Sequence, residues 1–177
     1  MDSNWDADKL KAEDLSARVS IVFLVAYENP SNKGDEEGLP PTNHWCLFLK
    51  TAGTASASIR VDMTPGYGSD GLRGKIEISS KPYECTNSSI KTLSFPATLG
   101  VTVQKIIDLI SSKGRQKYQF TPEWEGCRYW NKTVVQDLQS AGYIKGGAKE
   151  AEEALGYYWV TPSGKQKRAI GKGTFRA

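Results

Sequence analysis

The spacing of apolar residues along the chain changes near Pro96. Before this residue, apolar and polar positions alternate or apolar residues form short continuous runs, which is typical of β-strands. After it, apolar residues recur at helical intervals, which is typical of amphipathic α-helices. Strands followed by helices predict a single α+β domain with an antiparallel-rich sheet of about five or six strands, packed by two or three helices.

The strand pattern occurs in several stretches ahead of Pro96, which cover residues 19–27, 43–51, 56–63, 75–80 and 89–95. The first stretch is an almost continuous β-branched and aromatic run, which predicts a strand buried on both faces. The second and third stretches are separated by a short turn, so we expect them to form a hairpin.

The helical pattern occurs at residues 102–113 and 127–141, and a third, short helix is predicted over 148–155. Thr102 is a suitable N-cap for the first helix, and Gly142 is a suitable stop for the second. No repeat or linker interrupts the chain. We therefore expect one domain over residues 1–177, in which 1–17 is a partly ordered lead-in and 165–177 is a basic tail.

The composition excludes several classes of protein. No apolar run approaches the length of a membrane span, and the first residues lack the basic-then-apolar pattern of a secretory signal. Three cysteines are too few for a disulfide framework, and a single histidine without a Cys-x-x-Cys pair argues against structural zinc. The glycines of residues 66–74 do not have the spacing of a phosphate-binding loop. We expect a cytoplasmic protein that uses no metal or cofactor and does not bind membranes.

Cys127 is the first candidate for chemistry. It falls in the first turn of the second predicted helix, in register with Trp130 and Val134, so we expect its thiol to face the interior. The positive end of a helix dipole favours the thiolate, which is the reactive form of cysteine. The alternative interpretation is that Cys127 is a small buried apolar residue, as most free cysteines are.

His44, the only histidine, is the candidate base for this thiol. Imidazole titrates near neutral pH and serves a cysteine nucleophile by holding the thiolate and then protonating the leaving group. The alternation of residues 43–51 places His44 on one strand face, which we expect to point inward toward Cys127. A helix N-terminus aimed at the same cleft supplies backbone donors for an oxyanion, which favours acyl transfer.

Asp62 is the candidate third group that orients His44, because the hairpin places its strand beside the strand of His44. The sequence does not fix the register of the two strands. Asn43 and Asn131 therefore remain alternatives for this role.

The His-Trp pair at residue 44, the hairpin strand after it and the Gly-Cys-Arg-Tyr-Trp helix start resemble the circularly permuted papain-like fold. Lecithin retinol acyltransferase is one member of that family, in which the histidine precedes the cysteine, as it does here. The resemblance covers residues 43–144. It implies Cys127 as nucleophile, His44 as base, and acyl transfer or hydrolysis of an amide, ester or thioester in a small molecule or peptide.

The whole chain also resembles small uncharacterised filamentous-fungal proteins. The shared motifs are His-Trp-Cys, Val-Asp-Met-Thr-Pro and Gly-Cys-Arg-Tyr-Trp. This second resemblance implies a fungal source and no particular activity.

Aromatic residues support a second hypothesis, a non-covalent fungal biosynthetic cyclase of the pericyclase or Diels–Alder type. In such a protein His44, Asp62 or Arg128 polarises the substrate and Cys127 only packs. Small-molecule sites are apolar pockets with few polar groups. The expected substrate-binding residues are Trp45, Tyr67, Trp124, Arg128, Tyr129 and Trp130. The simpler interpretation is that the aromatic residues form the core.

A third hypothesis is a binding module without catalysis, because five basic residues and Phe175 lie in the last stretch of the chain. A short cluster of cations at a chain end is usually solvated, and no interleaving of aromatic and basic residues is present. Nucleic acid is therefore not the expected partner.

Overall fold

The computed structural model describes residues 1–30, 32, 34, 38–53 and 56–177. The strands in these ranges are β1 (Trp5–Lys9), β2 (Arg18–Tyr27), β3 (His44–Ala52), β4 (Ser58–Tyr67), β5 (Arg73–Lys81), β6 (Lys91–Pro96), β7 (Tyr118–Gln119), β8 (Tyr157–Trp159), β9 (Lys165–Lys167) and β10 (Thr174–Phe175). The α-helices are α1 (Val103–Ser112), α2 (Cys127–Ser140) and α3 (Ala148–Leu155), and a short 3-10 helix covers Ala12–Ser16. None of the helices in the described ranges has the length and apolarity needed to cross a bilayer.

Most of the strands belong to one eight-stranded sheet, in the order β10-β7-β5-β4-β3-β2-β6, with β1 paired to β5. The pairs in this sheet are antiparallel except β1–β5, which is parallel. β8 and β9 form a separate antiparallel ribbon. The predicted α+β class, with an antiparallel-rich sheet and helices at 102–113 and 127–141, is confirmed.

The two ends of the chain add strands that the apolar pattern does not indicate. β1 lies in the predicted lead-in and pairs Trp5 with Ile76. β10 lies in the predicted basic tail and pairs Phe175 with Tyr118. Only one residue of β1 is buried, so apolar periodicity gives no signal there. The sheet is therefore larger than the expected five or six strands, and both terminal segments are parts of the fold.

The alternation of side chains divides the sheet into two faces of different composition. We call the face that carries Trp45, Leu47 and Leu49 the helix face. These side chains are fully buried and share one core with Val134 and Leu138 of α2. The helix face is thus the interior of the domain.

The opposite side of the sheet, which we call the outer face, carries His44, Cys46 and Phe48. Cys46 and Phe48 form a small buried cluster with Val25, separate from the main core. His44 lies on this face by strand alternation, opposite to its buried neighbour Trp45.

Candidate active site

Cys127 is the first residue of α2, at a helix end that no side chain caps. Gly126 precedes it, because a Cβ at that position would come within 2.9 Å of the rings of Tyr118 and Phe120. Cys127 is 8% exposed, and its Sγ lies 3.9 Å from the backbone oxygen of Asn43. The thiol therefore lies where the start of α2 meets the start of β3.

His44 is the first residue of β3, and its Nε2 lies 2.7 Å from Oδ1 of Asp62 on β4. The register of the two strands pairs Leu47 with Val61 on the helix face. By alternation, Asp62 lies on the outer face with His44. The Asp62 side chain is 3% exposed, so this hydrogen bond is shielded from water on the carboxylate side.

His44 and Cys127 meet although they approach from opposite sides of the sheet. The Cys127 thiol acts on the His44 imidazole, because it contributes to raising the pKa of that ring. Both side chains line a cleft of about 500 Å³ at this end of the sheet. The structure thus brings together the three residues that the sequence singled out for catalysis.

The charges of these groups reinforce one another. Burial by itself lowers the pKa of His44, but the Asp62 carboxylate and the Cys127 thiol outweigh burial and hold that pKa well above its usual value. Burial alone raises the pKa of Asp62, but His44 and Arg60 outweigh it and hold this pKa below its usual value. The favoured state is therefore a protonated imidazole beside an ionised carboxylate.

Arg60 is a site residue that the sequence interpretation missed. Its Nη2 donates to Oδ2 of Asp62 at 2.5 Å, and its guanidinium lies 5.6 Å from the ring centroid of Tyr27. The two oxygens of Asp62 are thus held by two different cations. The sequence spacing could have identified Arg60, because a residue two positions before Asp62 in a strand lies on the same face.

Asn43 and Asn131, the alternatives to Asp62, form hydrogen bonds to backbone groups instead. Asn43 Oδ1 accepts from the backbone N–H of Trp159, and Asn43 Nδ2 donates to the backbone oxygens of Trp159 and Tyr27. Asn131 is fully buried. Neither amide hydrogen-bonds His44, whereas Asp62 does.

Asn131 fixes α2 against β3. Its Nδ2 donates to the backbone oxygen of Trp45 at 2.9 Å and to that of Cys127 at 2.8 Å. One side chain therefore ties the first turn of the helix to the residue after His44. This tie sets the position of the thiol relative to the imidazole.

Arg128 is not a cleft residue, which corrects the expectation that it binds substrate. It is 2% exposed, and its guanidinium donates to the backbone oxygens of Leu155, Arg168 and Ala169. Both Arg128 and Arg168 also pair with Glu125. We call this group, Glu125 with Arg128 and Arg168, the C-terminal clamp. It fastens the predicted basic tail to the start of α2, so Arg168 is not a free cation.

The other aromatic expectations divide in two. Trp45 and Trp130 are fully buried core residues, so the prediction that they wall the cleft is wrong. Tyr129 packs against Phe175, and Tyr67 lies under the ammonium of Lys75, 4.5 Å from its ring centroid. Neither lines the cleft.

Trp124 does line the cleft, together with Phe120 and Pro65. The prediction for Trp45 was wrong because a large aromatic residue in the sequence is equally consistent with a core position and with a pocket position. Trp124 differs from it in lying outside any helix or strand, in the turn ahead of α2.

Comparison with known proteins gives a family without an assigned activity. No curated protein and no solved structure matches the chain. A family model described as a domain of unknown function (DUF7770) matches residues 22–176, a range that includes His44, Asp62 and Cys127. Since this match spans most of the sequence, the chain belongs to the DUF7770 family.

Proposed function

We propose that the chain is a cysteine-dependent acyltransferase or hydrolase that acts on an amide, ester or thioester of a small molecule or peptide. Cys127 is the nucleophile, His44 is the base and acid, and Asp62 orients His44. The observation that carries this proposal is that the single histidine hydrogen-bonds Asp62 and lines one cleft together with Cys127. Nucleophile, base and orienting group in contact are the arrangement that thiol catalysis needs.

In the first step His44 already holds the proton of the thiol, and the sulfur of Cys127 attacks the carbonyl carbon of the substrate. The carbonyl oxygen becomes an oxyanion, for which the uncapped N–H groups at the start of α2 are suitable donors. The bond to the leaving group then breaks, and His44 returns the proton to the departing amine, alcohol or thiol. The product is a thioester on Cys127.

In the second step water or an acceptor molecule attacks this thioester. His44 takes the proton of the attacking group, the carbon–sulfur bond breaks, and the proton stays on His44 beside the released sulfur. Water as the attacking group gives hydrolysis, whereas an amine, alcohol or thiol gives acyl transfer. Neither step changes an oxidation state.

The local charges support these roles. Although burial lowers the pKa of His44, Asp62 and Cys127 together raise it well above its usual value. The imidazole therefore holds, at neutral pH, the proton that the leaving group requires. The order of His44 before Cys127, with Asp62 on the neighbouring strand, also supports the resemblance to the circularly permuted papain-like fold.

The three cysteines are free thiols. A thiol nucleophile must stay reduced to act, and the cytoplasm keeps thiols reduced. We place the proposed activity there.

Alkylation with limiting iodoacetamide near neutral pH tests the nucleophile. The modified residue is located by mass spectrometry of peptides from the native protein. We expect Cys127 to react at least about tenfold faster than the more exposed Cys85, because thiolate fraction controls the rate. Burial raises the pKa of the Cys85 thiol, and it raises that of Cys46 further.

The matched control for this experiment is His44→Ala, in which the Cys127 rate should fall while the Cys85 rate stays constant as an internal reference. Equal rates at Cys127 and Cys85 in the unmodified protein would contradict the proposal. An unchanged Cys127 rate in His44→Ala would remove His44 from it.

Reaction with p-nitrophenyl acetate tests the acyl intermediate. The intact mass should show one added acetyl group, which is absent in Cys127→Ala and retained in Cys85→Ala. A cyclase that only polarises its substrate would form no acetyl-enzyme, would keep its turnover in Cys127→Ala and would lose it in His44→Ala. The two variants therefore separate the two hypotheses.

A further inference from the structure

Trp124 has an unusual backbone conformation. Its φ of 61° lies in the left-handed region, and it is the one non-glycine residue of the described chain with positive φ. A side chain with a Cβ is disfavoured there, and for a bulky residue such a φ is an outlier. Residues held in this way cluster at functional sites.

The turn that contains Trp124 is closed by a set of hydrogen bonds on Thr121. The backbone oxygen of Thr121 accepts from the N–H of Trp124 at 2.9 Å, and its hydroxyl accepts from the N–H of Glu125 at 3.2 Å. The N–H of Thr121 donates to the oxygen of Glu125 at 2.9 Å. Glu125 is in turn held by the C-terminal clamp. The surrounding structure therefore fixes the left-handed residue.

The result of this conformation is an exposed indole at the cleft. Trp124 is 53% exposed, and it lines the same cleft as Cys127, three positions later in the chain. The far edge of the indole rests on Gly71, where a Cβ would come within 3.1 Å of the ring. The glycine-rich turn between β4 and β5 thus supports the indole from below.

A purely structural role does not account for these features. The turn would be relaxed with glycine at position 124, and an exposed indole gains little burial from the fold. A ring held open at a cleft wall beside a nucleophile gains its burial when a ligand covers it. Phe120, which is mostly buried, and Pro65 line the same cleft.

We propose that Trp124, with Phe120 and Pro65, forms an apolar subsite that binds an aromatic substituent next to the carbonyl group that Cys127 attacks. The preferred substrates are therefore amides, esters or thioesters that carry a flat apolar group close to the scissile bond. This inference rests on the proposed function for the role of Cys127. The opposite wall of the cleft, with Tyr27 and Arg60, is the polar side.

Two chloroacetamides test the subsite without a known substrate. N-methyl chloroacetamide and N-benzyl chloroacetamide differ only in the group that the subsite would bind. In both reactions the sulfur displaces chloride, so a carbon–sulfur bond forms, the carbon–chlorine bond breaks, and the thiol proton goes to His44 or water. The rates at Cys127 and Cys85 are read from the same protein by peptide mass spectrometry.

We expect the benzyl reagent to modify Cys127 at least about fivefold faster than the methyl reagent, because an aromatic pair gains more than area burial alone. The ratio at Cys85, away from the cleft, gives the intrinsic reactivity difference of the two reagents. A ratio at Cys127 equal to that at Cys85 would overturn the subsite. The rate of the methyl reagent at Cys127, compared with its rate at Cys85, tests the proposed function separately. Equal rates would contradict the role of Cys127 as nucleophile without bearing on the subsite.

Trp124→Gly is the decisive variant, because it removes the ring and at the same time relaxes the left-handed backbone. It should lower the benzyl-to-methyl ratio at Cys127 to the ratio seen at Cys85. Tyr83→Ala removes an aromatic residue that is 44% exposed elsewhere on the surface, and it should leave the Cys127 ratio unchanged. An unchanged ratio in Trp124→Gly, with the fold intact by circular dichroism, would assign the preference to another wall and overturn the proposal.

Discussion

The helix face and the outer face of the sheet use the same strands for different purposes. On β3, Trp45 enters the main core and is fully buried, whereas the adjacent His44 enters the cleft and contacts Asp62. On β4, Val61 is a core residue and Asp62 is a site residue. The helix face is apolar and covered, while the outer face combines a small apolar cluster with charged groups.

This difference shows how a fold of this size obtains both a core and a site from one hairpin. A period of two assigns alternate residues to each face, so stability and chemistry are encoded at neighbouring positions without competing for the same side chain. Substitutions of adjacent residues should therefore have effects of different kinds.

Trp45→Ala should produce the largest loss of stability. Removing a fully buried aromatic side chain leaves a cavity in the core and should lower the free energy of unfolding by about 3–5 kcal/mol. Urea denaturation followed by circular dichroism measures this loss. Thiol reactivity at Cys127 should fall only in proportion to the unfolded fraction.

His44→Ala, one position earlier, is the matched control. It should cost about 1–2 kcal/mol, because Asp62 keeps its contact with Arg60. Its reactivity at Cys127 should nevertheless fall in fully folded protein. If both substitutions destabilised the protein equally, the division of labour between the faces would not hold.

Asn131→Ala should lower stability by an intermediate amount, because it removes the hydrogen bonds that hold the start of α2 against β3. Loss of two buried hydrogen bonds should cost about 2 kcal/mol. The alkylation rate of Cys127 should fall in folded protein as its position relative to His44 relaxes. Thr133→Ala in the same helix removes a local hydroxyl bond to Tyr129, and it should change neither quantity appreciably. An unaltered Cys127 rate in Asn131→Ala would remove its positioning role.

Asp62→Asn should have a specific effect on the protonation of His44. The chain has one histidine, so its ring proton resonances report the His44 pKa directly by NMR. Since the carboxylate is the charge that raises this pKa, the substitution should move it down toward its usual value of about 6.5. As a control, Glu77→Gln removes a different carboxylate, on the residue that lies opposite Asp62 in the β4–β5 register. It should leave the His44 pKa almost unchanged. A His44 pKa unaffected by Asp62→Asn would contradict the assigned contact.

The same substitution should alter how stability depends on pH. His44 binds its proton more tightly in the folded state, so its contribution is complete below the unfolded pKa of about 6.5 and is lost as pH rises through the folded pKa. Asp62 has a lowered folded pKa, so its contribution is lost as pH falls through that value. Urea denaturation across pH should show both slopes in the unmodified protein and weaker ones in Asp62→Asn.

The sequence predicted the elements that have strong local signals. The helix that begins at Cys127 was identified from apolar spacing and from the glycine that follows its end, and the structure begins α2 at that residue. The β3–β4 hairpin was identified from alternation and a short turn. Local patterns suffice for such elements because burial of one face determines both the period and the element.

Features that depend on distant pairing escaped sequence reasoning. β1 pairs in parallel with β5 far along the chain, and its residues are mostly polar. Arg128 was expected at the cleft because a cation next to the thiol fits a site, but its partners are backbone oxygens from a segment 40 residues later. Such partners are not visible in a local pattern.

The C-terminal clamp has a consequence for the order in which the chain folds. During synthesis His44, Asp62 and Cys127 all leave the ribosome before Arg168, whose carboxylate partner Glu125 lies two residues before the thiol. The hydroxyl of Tyr118 links the same region to later chain, since it accepts from the N–H of Gly173 and donates to the oxygen of Gly126. A nascent chain that stops short of residue 168 therefore contains His44, Asp62 and Cys127 but lacks part of the contacts that hold the start of α2. Docking of the last segment completes those contacts around residues 125 and 126.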